Sequence, residues 1–150
     1  MIRIMFVCHG NICRSTMAEF VMADMVKRAG LADKISVASS ATSTEEIGNP
    51  PHRGTLCELA RRGVPIYHHS AVQLERRDYG KYDLIVGMDS ANIRNIHRML
   101  GADPEGKVMK LLDGLDGGDV ADPWYTGDFK KTYEDVSRGC AYLLEKCREM

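Results

Sequence analysis

The chain has 150 residues, 44% of them hydrophobic, with 20 Lys+Arg against 21 Asp+Glu. That size and apolar content suit one domain spanning residues 1–150, burying roughly two-thirds of its unfolded surface. A net charge of −1 and a pI near 6.5 give no global field for nucleic acid or an anionic membrane, so any anion site must be local.

Residues 2–7 form a short apolar run rich in β-branched side chains, which predicts a buried strand. A polar loop follows. Ala18, Val21, Met22, Met25 and Ala29 then recur at helical spacing, and Gly30 sits where that helix ends. Residues 35–39 predict a second strand. Asn49-Pro50 reads as a helix start, with Leu56, Leu59 and Ala60 as the inner face and Gly63 as the stop. Residues 82–88 are the third strand. Asp89 or Ser90 caps a helix carrying Ile93, Ile96, Met99 and Leu100, stopped by Gly101. Residues 108–112 are the fourth strand. A Gly/Asp-rich loop over 113–128 leads into a last helix with Phe129, Tyr133, Val136, Cys140, Leu143 and Cys147 on one stripe. Alternating strands and helices predict an α/β fold, an open parallel sheet with helices on both faces. In such sheets the ligand site lies at the carboxyl ends of the strands. Cys8 ends the first strand, and the loop carrying Asp122 follows the last.

No apolar run approaches the ~18 residues a spanning helix needs. The start, MIRIMFVCHG, has too short an apolar stretch for a signal peptide. A cytoplasmic location without stable membrane association is therefore expected. Five cysteines are an odd number, so they cannot all pair within the chain.

The stretch that carries chemistry is Cys8-His9-Gly10-Asn11-Ile12-Cys13-Arg14-Ser15. A loop wrapping into a helix N-terminus points successive N–H groups inward, and the helix dipole adds partial positive charge. Gly10 and Asn11 are residue types that tolerate left-handed dihedrals. The Arg14 fork can hold two phosphate oxygens. The thiolate is the nucleophilic form of cysteine, and helix N-termini and cations favour it. Features that bind phosphate thus also favour an ionised nucleophile, and Ser15 can donate a hydrogen bond to it. Read blandly, Cys8 is a packed strand-end residue and Arg14 a surface charge. The strand before, the helix after and Gly-Asn between them favour the phosphate loop.

With these residues in view, the sequence resembles the low-molecular-weight protein tyrosine phosphatase family. The likeness runs from Phe6-Val7-Cys8 through Ser15 into Met17-Ala18-Glu19, and resumes at Ser39, His68, Met88-Asp89, Asn92 and Asp122-Pro123-Trp124-Tyr125. It implies a four-stranded parallel sheet with the phosphate-binding loop after its first strand. It also implies two-step hydrolysis of phosphotyrosine or a small aryl phosphate without metal or other cofactor. Cys8 is then the nucleophile, Arg14 the phosphate clamp and Asp122 the general acid and base. His9, Gly10, Asn11, Ile12, Cys13 and Ser15 would bind substrate. Asn11, Ser15, Ser39 and His68 would support the loop, and Asp89 would orient Arg14. By resemblance, Cys13 can guard Cys8 by forming a disulfide with it. Cys140 and Cys147 fall on an apolar stripe and read as core.

Spacing alone would leave Asp122 a turn residue before proline, His68 a surface histidine and Asp89 a helix cap. Trp124 and Tyr125 either wall the pocket mouth or plug their own loop. Residues 44–46, polar and acidic, replace a tryptophan found in some members, and His9 and Thr16 also depart from the common pattern. A zinc site from Cys8, Cys13 and a histidine lacks a second Cys/His pair at ligand spacing. Arsenate reductases on this fold need cysteines after the third strand, where this chain has none. A related protein-arginine phosphatase has threonine at Ile12, and a bulky aliphatic there suits a phosphoaryl ester better. A catalytically idle phosphate-binding module is disfavoured by the intact Cys8, Arg14 and Asp122. No Gly-Lys-Ser/Thr of a nucleotide-binding loop is present. The expected assembly is a monomer or weak dimer.

Overall fold

A computed structural model describes residues 1–150. Its order is β1 (Ile2–Cys8), α1 (Arg14–Arg28), β2 (Ile35–Ala41), α2 (Arg53–Arg61), α3 (Asp78–Lys81), β3 (Leu84–Gly87), α4 (Ser90–Leu100), β4 (Val108–Lys110), α5 (Pro123–Thr126) and α6 (Phe129–Arg148). The four strands form one parallel sheet in the order β2-β1-β3-β4. β1 is interior, with Ile4 opposite Val37 on one side and Leu84 on the other. The open four-stranded sheet is the expected one.

Successive strand side chains point to opposite faces, and β1 is apolar on both. Ile4, Phe6 and Cys8 join α1, α6 and Leu59 of α2 in the larger cluster. Met5 and Val7 join Ile85 and Ile96 in a smaller one, flanked by Tyr79, Ile93 and Met99 of α3 and α4. Helices thus cover both faces, as the alternation predicted. Cys140 and Cys147 are buried in the larger cluster. No helix is long and apolar enough to cross a membrane.

The start of α2 departs from expectation. Asn49-Pro50 does not cap it, because Pro51 follows. A residue before proline is pushed out of the α region, so both Asn49 and Pro50 stay outside the helix. The cap is His52, whose Nδ1 accepts from the Gly54 N–H at 2.9 Å. The inner face of α2 is also rotated. Thr55, Glu58 and Leu59 are buried, whereas Ala60 is exposed. Glu58 is tolerated inside because Arg61 and Arg62 reach it at 2.9 and 2.8 Å. At α4 the choice between caps falls to Asp89, which forms a reciprocal capping box with Asn92. β4 is shorter than the expected 108–112, and Leu111 and Leu112 enter the core from a turn instead.

Candidate active site

β1 delivers Cys8 to the carboxyl edge of the sheet. The chain then wraps for five residues and enters α1. Asn11 carries the wrap, being the sole non-glycine residue at positive φ, +59°. Gly10 has no positive φ. Its absent side chain matters sterically, since a Cβ there would lie 3.3 Å from Glu46 Cγ. α1 has no side-chain cap and no acidic residue in its first turn. Its leading N–H groups and dipole are therefore unopposed by a local carboxylate.

The Asn11 N–H points at Cys8 Sγ at 3.3 Å, and Ser15 Oγ lies 3.0 Å from the same sulfur. Ser15 Oγ already accepts from Asn11 Nδ2 at 2.8 Å, which frees its own proton for the sulfur. Asn11 Nδ2 also donates to Ser39 Oγ at 2.9 Å. Asn11 Oδ1 accepts from the Val72 N–H at 3.2 Å and lies 2.9 Å from His69 Nε2. As an amide oxygen only accepts, His69 carries a proton on Nε2. The histidine at Asn11 is thus His69 and not the expected His68. His68 is exposed and reaches only Ser70, at 3.5 Å. Residues 64–70 belong to no helix or strand, and of the pair His69 is partly buried against the loop while His68 is exposed.

Beneath this network lies Glu19, buried, which the sequence reading had not assigned a role. Ser39 Oγ and Tyr67 OH each donate to it at 2.5 Å. Glu19 is four residues after Ser15, hence on the same face of α1, and that spacing was the available signal.

Arg14 is 2% exposed. Its Nη1 donates to Asp89 Oδ2 at 2.6 Å and to the Val120 carbonyl at 2.9 Å, and its Nη2 to Asp122 Oδ2 at 3.4 Å. Burial opposes the guanidinium charge, but facing Cys8, Asp89 and Asp122 outweighs it and the net shift is upward. The Nε is buried with no partner in the protein. The Val120 carbonyl was not foreseen, since a backbone acceptor leaves no mark in sequence.

A cleft of about 340 Å³ is lined by Cys8, His9, Gly10, Ile12, Cys13 and Arg14 on the loop side, and by Glu45, Glu46, Asp122, Trp124 and Tyr125 around them. Asp122 caps α5, accepting from the Trp124 N–H at 3.1 Å. Trp124 is 57% and Tyr125 84% exposed, so both stand as wall and neither as plug. The Trp124 ring meets His52 edge-on, and His52 stacks on Phe129. His9 Nε2 pairs with Glu45 Oε2 at 3.0 Å on the rim. Cys13 is buried, and burial first, then Cys8 and Asp122, pushes its thiol up to about 12. All five cysteines are free. No group of three or more His, Cys, Asp or Glu side chains is arranged to hold a metal ion.

An anion-binding loop built around a strand-end thiol, with a carboxylate across the cleft, defines a cysteine-dependent phosphatase. The chain belongs to the family described as low molecular weight phosphotyrosine protein phosphatase, whose sequence profile matches residues 3–150. It is 39% identical over 147 residues to the low molecular weight protein-tyrosine-phosphatase YfkJ of Bacillus subtilis, covering 96% of this chain and 94% of that protein. It is 37% identical to PtpA of Staphylococcus epidermidis, covering 97% and 93%. The crystal structure of YfkJ superposes with a TM-score of 0.96 at 38% identity, over 99% of this chain and 96% of that one. The phosphatase SP-PTP of Streptococcus pyogenes gives 0.88 at 39%, over 97% and 93%.

Proposed function

We propose that this chain hydrolyses phosphotyrosine, in proteins or as small aryl phosphates, with Cys8, Arg14 and Asp122 as the working residues. One observation carries the reading. Both terminal nitrogens of Arg14 are committed to protein acceptors, while its buried Nε is not. A cationic donor therefore remains on a side chain that lines the same cleft as Cys8, and a phosphoryl oxygen is the matching acceptor.

In the first step the Cys8 thiolate attacks phosphorus. The S–P bond forms, the P–O bond to the aryl group breaks, and protonated Asp122 gives its proton to the departing oxygen. In the second step the Asp122 carboxylate takes a proton from water. That water attacks phosphorus, the S–P bond breaks, and inorganic phosphate leaves. Arg14 and the loop N–H groups hold the equatorial oxygens throughout. Ser15 and Asn11 present donors to the sulfur both as nucleophile and as leaving group. Ser39 and His69 hold Asn11 in place. Ile12 gives the cleft an apolar wall, which suits an aryl ester.

Five free cysteines fit a reducing compartment, and the proposed location is the cytoplasm. The test is kinetic. Cys8→Ser should abolish turnover of an aryl phosphate while vanadate still binds, and retained turnover would sink the reading. Asp122→Ala should slow phenyl phosphate about 100-fold or more, and p-nitrophenyl phosphate, whose leaving group needs no proton, far less. Equal losses would remove Asp122 as the acid.

A further inference from the structure

Lys110, Asp119 and Ser90 do not line the cleft. They nevertheless form a brace directly behind it. Lys110, the last residue of β4, sends its Nζ to the Gly117 carbonyl at 2.7 Å and to Asp119 Oδ1 at 3.0 Å. The same oxygen accepts from the Ser90 N–H at 3.2 Å and from Ser90 Oγ at 3.3 Å. The bond from Lys110 is the main reason the Asp119 carboxyl lies below its usual range. Asp119 therefore stays ionised wherever the enzyme is folded and near neutral pH.

The two ends of this brace are each one residue from an acceptor of Arg14. Ser90 follows Asp89, and Asp119 precedes Val120. Both acceptors share Arg14 Nη1. The Val120 N–H is tied in addition to the Met88 carbonyl at 2.9 Å. Asp122 lies two residues further on. The preceding pair, Gly117-Gly118, has no side chains to pack, and Gly117 sits at φ +75°. Glycine pairs order poorly by themselves. The Gly117 N–H donates to the Leu112 carbonyl at 2.8 Å and the Gly118 N–H to Asp116 Oδ1 at 2.9 Å, and Lys110 and Asp119 add the contacts that tie this stretch to β4 and Ser90.

We propose that Lys110 and Asp119 are positioning residues, whose ion pair fixes the Val120 carbonyl against Arg14 and sets the reach of Asp122 toward the leaving group. The inference rests on the phosphatase reading above. Loosening the brace displaces the acid, and displacements near 1 Å are costly where reacting atoms must align. The defect falls on substrates that need the acid.

The readout is the ratio of kcat/KM for p-nitrophenyl phosphate to that for phenyl phosphate. Lys110→Met and Asp119→Asn should each raise it about tenfold over wild type. Lys110→Arg keeps the charge and should stay within about threefold. A merely structural role would lower Tm or both rates together and leave the ratio unmoved. An unchanged ratio overturns the proposal, as does a rise in Lys110→Arg equal to that in Lys110→Met. If Lys110→Met does not fold, Ser90→Ala removes one donor to Asp119 without touching a charge, and its ratio decides in the same way. Wild-type chain that turns over neither ester would fail the phosphatase reading, and this inference with it.

Discussion

Asn11 makes contacts in every direction open to it. Its side chain spans Ser15, Ser39, His69 and the Val72 N–H, and its carbonyl accepts from Thr16 Oγ1 at 2.8 Å. A left-handed conformation costs an ordinary residue about 1–2 kcal/mol, and each buried polar group left unpaired about 1–3 kcal/mol. Asn11→Ala incurs both and Asn11→Gly only the second. Urea titration should therefore find both variants destabilised, alanine by about 1 kcal/mol more than glycine, and turnover should fall in both. Wild-type stability in Asn11→Gly would show the network to be dispensable. Residue identity predicted this position well, because few side chains tolerate positive φ. It predicted His69 poorly. Two adjacent histidines are chemically equal, and only the course of an irregular segment chooses between them. Burial of Glu19, likewise, depends on which face of α1 meets the sheet.

Elements explain how the cleft wall is held. α2 and α6 cross at Gly54, where a Cβ would lie 2.3 Å from Phe129 Cε2. Phe129 stacks on His52, and His52 abuts Trp124. The His52 N–H also donates to the Ile12 carbonyl at 2.7 Å, joining this stack to the phosphate loop. Alanine favours a helix over glycine by about 1 kcal/mol, but overpacking costs about 1–3 kcal/mol. Gly54→Ala should thus lower the urea midpoint and raise KM for aryl phosphates through the displaced Trp124. A higher midpoint with unchanged KM would mean that Phe129 moves freely. Element positions were largely legible, because the periodicities of β1, α1, β3, α4 and α6 are strong. The stops at Gly30, Gly63 and Gly101 all sit at positive φ. The start of α2 falls after Asn49-Pro50 because a second proline, Pro51, keeps both out of the helix. α3 and α5 span four residues each, too few for any period to register.

At the scale of the whole molecule, burial of thiols sets an upper pH bound. Cys13 is pushed from 9.0 to about 12, and desolvation pushes Cys140 and Cys147 up as well. Each is an acid whose folded pKa exceeds its unfolded one. Its contribution is complete below the unfolded value near 9 and is lost as pH rises toward the folded value. Between pH 8 and pH 10 the protein should lose about 1.5 kcal/mol for each of Cys13 and Cys140. Denaturant titrations at the two pH values measure this, and Cys140→Ser should flatten the slope. Equal stability at both would mean that these thiols ionise as easily folded as unfolded. The sheet order has a consequence in time. β1, which carries the proposed nucleophile, pairs with β2 along its whole length and with β3 over Ile4–Val7, whereas β4 pairs with β3 alone, at three positions, and leads into the loop of Asp122. Hydrogen exchange should reach the amides of β4 long before those of β1. Partial opening then separates the two halves of the chemistry. On the proposed roles, such a form keeps the Cys8 loop on β1 and α1 but loses both Asp122 and the Val120 carbonyl that holds Arg14, so on warming turnover should fade before the chain unfolds.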